Sequence, residues 1–280
     1  MSAAVLGAAL AKSLLPAVGA NGAATLRLVI AALILCLAFR VWRSPLPPGG
    51  WRLVVRWGVA LGLMNLSFYG ALQRLPLGIA VAVEFIGPLA VALWHSRRAL
   101  DFLWVALAVL GLSLLLPWRG TAAAIDPLGV LFALGAAAGW ALYIVWGRQA
   151  GLLAGTRTVA LGMLVAMLLV TPFGAAAAWP ALSSPVLLVI ALVVALLSSV
   201  LPATLEMLAL TRLPAGVFGV SMSLEPAIAA LVGLLMLGEQ LAVQQYLAIA
   251  AIMVASAGAA LSVRVTAAGR DHDVDPARSK

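Results

Sequence analysis

Five ionisable side chains, Lys12, Arg27, Glu84, Glu206 and Glu225, sit inside stretches that are otherwise strongly apolar. At the centre of a membrane helix each costs at least ~2.5–3.5 kcal/mol, which disfavours a lipid-facing position. Such groups either pair to hold helices together, with Lys and Arg snorkelling outward, or they line a polar path. Lys12, Arg27 and Glu206 are open to both readings. Glu84 and Glu225 point more sharply to function, because each lies deep in its stretch close to a proline, Pro88 and Pro226. Pro88 has no N–H to give the carbonyl of Glu84, and Pro226 withholds one from Met222. A carbonyl freed at membrane depth is tolerated where it faces protein or a wet cavity. Pro202 is a third helix-bending position in an apolar stretch.

The chemistry this set can do is the binding of a zwitterion and the carriage of protons. A carboxylate calls for Arg or Lys, and an ammonium calls for Glu. Burial disfavours the charged form of a carboxylate, so a Glu that titrates as a cavity changes sides suits a proton carrier. Asn65, Tyr69 and Tyr143 can add hydrogen bonds, and Trp140 and Trp146 can wall the cavity, although such residues more often serve in helix packing or interfacial anchoring.

These residues need membrane helices to position them. The chain of 280 residues is 65% apolar and 9% charged, with a mean hydropathy of +1.15. A soluble domain carries roughly 25% charged residues, so a soluble globular fold is excluded. Apolar runs long enough for a ~30 Å hydrocarbon core recur along the chain. They read as Ser2–Val18, Thr25–Val41, Leu53–Leu72, Leu77–Trp94, Leu100–Pro117, Leu128–Trp146, Val159–Ala178, Val186–Leu210, Gly216–Leu237 and Leu241–Val263. The first is interrupted by Lys12 and Pro16, is short for a span, and reads as a truncated start. It lacks the basic start and cleavage site of a secretory signal. The expected fold is therefore an all-α integral membrane protein of ten transmembrane helices.

The second half repeats the first. At an offset of 138 without gaps, Arg74 meets Arg212, Pro76 meets Pro214, Gly78 meets Gly216, Pro88 meets Pro226, and Asp101 meets Glu239. The expected units are a five-helix half over 1–118, a loop over 119–126, a second half over 127–264 and a loose cytoplasmic tail over 265–280. Five helices per half means that the halves enter the membrane from opposite sides, the inverted arrangement of many alternating-access carriers. Glu225 lies three residues beyond the repeat mate of Glu84. That is the same helix face about one turn away, so the two acids should look into one central cavity.

Orientation follows from the basic residues. With the N-terminus inside, the inner loops and tail hold Arg40, Arg43, Arg52, Arg56, Arg97, Arg98, Arg148, Arg157, Arg212, Arg264, Arg270, Arg278 and Lys280, against Arg74 and Arg119 outside. Both termini are expected in the cytoplasm. The net charge of +8 is spread over these short loops and makes no continuous face, which argues against nucleic acid as a partner. The single Cys36 excludes an intramolecular disulfide framework. The histidines are His95 and His272, in a loop and the tail, so a buried histidine base or zinc cluster is excluded, and no P-loop marks an ATP-driven pump. No cofactor, metal or catalytic group is expected.

Several stretches carry a family resemblance: AKSLLPAVGANG (Ala11–Gly22), ATLRL (Ala24–Leu28), PLGIAVAVEFIGPLAVAL (Pro76–Leu93), WALYIVWGRQAG (Trp140–Gly151), LPATLEMLALTRLP (Leu201–Pro214) and SMSLEPAIAAL (Ser221–Leu231). Together they resemble the drug/metabolite transporter superfamily with two EamA-type halves, and within it the bacterial threonine/homoserine exporter family. The resemblance implies inner-membrane efflux of small neutral amino acids, with protons as the coupling ion and a monomer or homodimer in the bilayer. A general exporter of aromatic or cationic compounds is the alternative within the same superfamily. The departure lies at the front, where members of the family carry a longer first helix preceded by basic residues.

Overall fold

The computed structural model describes residues 2–43, 46–94, 99–115, 125–212, 222 and 224–272. Among them the regular structure is helical, with no strand. The first element, α1 (Ser2–Phe39), holds too many residues for one straight span. Thirty-eight residues would extend about 57 Å, nearly twice the hydrocarbon thickness. The chain resolves this at Gly19, whose φ of 64° and ψ of 179° break the helix into two limbs. A Cβ would strain that backbone, so glycine is required there. Pro16, expected to interrupt the first run, is accommodated inside the first limb, and the break falls three residues later.

A 3₁₀ turn at Val41–Arg43 leads toward α2 (Gly50–Leu72). The next span is in two pieces, α3 (Leu77–Glu84) and α4 (Ile86–Trp94), separated at Phe85 directly after the carbonyl that Pro88 leaves unpaired. α5 (Ala99–Leu115) follows. α6 (Pro127–Ala154) starts under an Asp126 cap, whose side chain accepts from the Leu128 N–H, with Pro127 in the first turn. α7 (Thr156–Leu182) begins immediately after a turn at Gly155. α8 (Pro185–Ala195), capped by Ser184, runs through a π turn at Leu196–Val200 into α9 (Leu201–Arg212). α10 (Glu225–Leu237) ends at a left-handed Gly238, and α11 (Val243–His272) closes the described chain. Pro226 occupies the first turn of α10, directly after the turn at Leu224.

Five of these stretches, Ala3–Phe39, Gly50–Leu72, Pro127–Leu152, Arg157–Leu182 and Pro185–Glu206, are long and apolar enough to cross a membrane; Leu77–Val91, Glu225–Leu237 and Val243–Gly258 are shorter apolar helices. Their outward faces carry large apolar side chains, among them Leu37, Leu131, Phe173 and Leu235, each more than 60% exposed. With polar groups turned inward, that is the surface of a multi-pass integral membrane protein. α11 stays helical to His272, beyond the expected end of its run at Val263. The repeat partners Pro214 and Gly216 and the loop residues His95, Arg97, Arg98 and Arg119 lie outside the described residues, as do Arg278 and Lys280.

Helices approach one another closely where small residues meet. A Cβ at Gly87 of α4 would collide with the backbone carbonyl of Ala137 on α6, so glycine sets that approach. Beside a small apolar cluster at Leu89, Ala108 and Ala255, two large ones form the interior. One joins both limbs of α1 with α2, α6, α7 and α8 around Trp57 and Leu14, and the other joins α3, α10 and α11 around Phe85, Leu77 and Ile252.

Candidate functional site

The functional candidates surround a cavity of about 130 Å³ between these clusters. The first limb of α1 contributes Ala4, Val5 and Ala8, and the second limb contributes Arg27. α2 adds Leu61, Met64, Asn65, Phe68 and Tyr69; α3 adds Val81 and Glu84; α6 adds Trp140 and Tyr143; α7 adds Met163. Ser198 and Ser199 come from the π turn, Pro202, Ala203 and Glu206 from α9, and Glu225 from α10. Three acids and one guanidinium thus share one chamber with apolar walls.

Two of the acids are placed by local backbone irregularities. Glu84 is the last residue of α3, just before the break at Phe85. The Phe85 ring stands edge-on to Trp140, with centroids 5.0 Å apart, and so fixes the wall beside that carboxylate. Glu225 is the first residue of α10, also at an interruption. Arg27, Glu225 and Glu206 all lie within electrostatic reach of Glu84.

Arg27 is held from two directions. Its Nη1 donates to the Ser198 carbonyl at 3.3 Å and to the Ser198 hydroxyl at 3.2 Å. Pro202 stands four residues after Ser198 and has no N–H for that carbonyl, so the proline frees the acceptor that the guanidinium uses. The guanidinium also lies over the Tyr69 ring, 5.1 Å from its centroid. Tyr143 is positioned from behind: Trp57 Nε1 donates to its carbonyl at 3.1 Å, the two rings pack at 4.9 Å, and the Tyr143 side chain interacts with Glu206. Asn65 gives its amide N–H to the Leu61 carbonyl at 2.7 Å.

Four buried polar atoms have no hydrogen-bond partner among the described residues: Arg27 Nε, Tyr69 Oη, Glu225 Oε2 and Thr25 Oγ1. The first three belong to residues lining the cavity. No group of three or more His, Cys, Asp or Glu among the described residues could hold a metal ion.

Of the residues singled out from the sequence, Glu84, Glu225, Glu206, Arg27, Tyr69, Asn65, Tyr143, Trp140 and Pro202 come together here. Lys12, Pro88, Pro226 and Trp146 do not line the chamber. Lys12 ion-pairs with Glu239 and donates to the Leu75 carbonyl at 3.0 Å, while the other Glu239 oxygen accepts from the Leu77 N–H at 2.8 Å. That arrangement ties the first limb of α1 to the start of α3 and to the segment after α10. Close by in sequence, Arg74 pairs with Asp126 at 2.9 Å. That guanidinium, with help from the Leu128 N–H, holds the Asp126 carboxyl below its ordinary value. Ser198 and Ser199 went unmarked in the sequence; the signal was Pro202, whose missing N–H points back four residues to Ser198.

Residues 127–261 match the model of the EamA-like transporter family. Along 96% of its length the chain is 49% identical to the threonine/homoserine exporter RhtA of Escherichia coli K12, covering 91% of that protein. The chain belongs to the EamA-like transporter family. With RhtA of Salmonella typhimurium LT2 this family member shares 50% identity over 94% of its own length and 90% of the relative's. A crystal structure described simply as a protein superposes with a TM-score of 0.64 over 94% of this chain and 96% of its own, at 19% identity, which shows a common fold. This EamA-type protein is therefore a membrane transporter and not an enzyme.

Proposed function

We propose that this transporter exports small amino acids of the threonine and homoserine class across a bacterial inner membrane, by proton antiport with alternating access. The observation that carries the reading is the cavity itself. Its ~130 Å³ is close to the ~150 Å³ of an engineered protein cavity that takes up benzene, a scale that suits a molecule of well under a dozen heavy atoms. Pockets for drug-sized ligands run from ~300 Å³ upward, so the size disfavours the alternative of a general exporter for aromatic or cationic compounds. The mixed lining of one guanidinium and three carboxylates matches a zwitterion, and the relatives named as threonine/homoserine exporters support the same class of cargo.

Proton coupling follows from the charge balance. Three acids facing one cation repel one another, and either a proton or a substrate ammonium relieves the excess. Competition between the two for the same carboxylates is the simplest basis for exchange. Glu84, Glu225 and Glu206 are the proposed sites, with Arg27 as the counter-charge.

Alternating access is supported by the pattern of helix contacts. The second limb of α1 runs antiparallel to α7, α3 packs on α10 through Gly78 and Ala230, and α5 packs on α11 through Gly111 and Ile252. A two-fold axis in the membrane plane between the halves 1–118 and 127–264 would place each helix of these pairs onto its mate. The family model begins at residue 127, where we place the start of the second half. Both termini are assigned to the cytoplasm from the basic loops.

The test is efflux of labelled threonine and homoserine from proteoliposomes, against a panel of aromatic and cationic compounds. Saturable threonine movement suppressed by unlabelled threonine is the expected result. Movement of the panel compounds without threonine flux overturns the amino-acid reading in favour of the general exporter.

A further inference from the structure

The proposed function leaves open how the cargo lies in the cavity. We infer that Arg27 and Tyr69 form a carboxylate subsite and Glu225 an ammonium subsite, so that the transporter reads the main-chain zwitterion of its cargo and not the side chain. The inference rests on the reading that the cavity carries a small amino acid, and it adds polarity and a basis for selectivity.

The argument starts from the buried atoms without partners. Arg27 and Tyr69 are 8% and 1% exposed, yet Arg27 Nε and Tyr69 Oη reach no acceptor among the described residues. Both are donors, and they belong to stacked side chains on one wall, from the second limb of α1 and from α2. Glu225 Oε2, which has no donor, belongs to α10. Unpaired donors from one pair of helices and an unpaired acceptor from a third complement the two ends of an α-amino acid. A guanidinium edge and a phenol hydroxyl are strong donors to a carboxylate, and a carboxylate accepts from an ammonium.

An arginine serving only to neutralise acids would spend its N–H groups on them. Among the described residues Arg27 makes no ion pair; the pairs formed there are Lys12–Glu239 and Arg74–Asp126. Its Nη1 is instead fixed to Ser198, through the carbonyl that Pro202 exposes, and its plane rests on the Tyr69 ring. Held in this way, the group is set in place before the cargo arrives, which lowers the ordering cost of binding. Much of the remaining lining is apolar, Leu61, Met64, Phe68, Val81 and Met163 among it, and polar groups within it are engaged by the protein: Asn65 donates to the Leu61 carbonyl, Ser198 to the Val194 carbonyl, and Tyr143 interacts with Glu206, so this surface accepts a short side chain without demanding a particular polar group.

Competition against labelled threonine in proteoliposomes tests this directly. Serine and alanine, which keep both main-chain charges, should compete within about tenfold of unlabelled threonine. Threoninamide, which keeps the ammonium and loses the carboxylate, should be weaker by about tenfold or more, as should 2,3-dihydroxybutyrate, which loses the ammonium. Tyr69→Phe keeps the ring under Arg27 and removes only an unpartnered hydroxyl. It should raise the threonine KM about tenfold, shrink the penalty against threoninamide, and leave the melting temperature unchanged or higher, which a purely structural role would not produce. Arg27→Lys keeps the charge and loses the Nε–H, so it should also raise KM.

Threonine transport in which threoninamide competes as well as threonine, or in which Tyr69→Phe leaves KM unchanged, overturns the subsite alone. A protein that moves neither threonine nor any other zwitterion overturns the amino-acid reading and the subsite with it.

Discussion

Lys12 and Arg27 stand on the two limbs of one broken helix, and the fold treats them in opposite ways. Lys12 is satisfied: it meets the Glu239 carboxylate and the Leu75 carbonyl, and Glu239 closes the circle on the Leu77 N–H. Arg27 is anchored on one side and left with an unpaired N–H on the other, in a chamber that also holds three acids and an unpaired phenol. Both are cations among carboxylates in an apolar chain, so residue type alone does not distinguish them. Hydrogen-bond completeness does. A complete circle joins segments; an incomplete one, buried and preorganised, awaits something that is not protein.

Breaking the incomplete site should have the largest effect on transport. Arg27→Ala removes the one cation among the described residues that line the cavity and leaves the Ser198 carbonyl without its donor. It should lower kcat/KM for threonine by about a hundredfold or more in proteoliposomes, the scale of two charge-assisted hydrogen bonds. Next, Glu84→Gln keeps the shape and hydrogen-bonding capacity of the side chain and removes its titration. The variant should insert and fold yet lose acceleration by an imposed pH gradient; equal exchange rates in variant and parent at matched protein levels would exclude a coupling role for Glu84.

Breaking the complete circle should act on stability. Lys12→Ala strands the Glu239 charge and the Leu75 carbonyl, a loss of about 1–3 kcal/mol seen as a melting temperature several degrees lower in detergent. The double change Lys12→Met with Glu239→Gln should recover most of it, while the threonine KM stays near that of the parent throughout. A KM that rises in Lys12→Ala without loss of stability would erase the contrast between the two cations. The exposed Arg74–Asp126 pair should matter least. Asp126→Asn should change melting little, and what the pair contributes should weaken in salt. Because Asp126 is held below its ordinary value in the folded protein, its contribution is present above the unfolded value and fades as pH falls through the lowered one.

Much of this contrast was legible in the sequence as position and much was not legible as pairing. A Glu four residues before Pro88 and a Glu directly before Pro226 announced irregular backbone at membrane depth, and both acids do sit at helix interruptions facing one cavity. Apolar runs marked the helices because each span must exclude polar backbone from lipid. The partner of Lys12 lies 227 residues away, and nothing local to either residue encodes that meeting. It follows from how the small residues let the helices close on one another. Ser198 was missed for a related reason: its role belongs to its carbonyl, and the clue sat on Pro202. Pro16 misled in the other direction, since a proline near a helix end can be absorbed by a membrane helix, and the conformational demand fell instead on Gly19.

The most direct test of the cavity as the path of both cargo and proton is one comparison in proteoliposomes. Threonine flux is measured with and without an imposed pH gradient, in the parent and in Glu225→Gln reconstituted at equal density. A gradient that accelerates flux in the parent and leaves the variant unmoved is the predicted result. Equal acceleration in both would contradict the account and place coupling outside the acids that line this chamber.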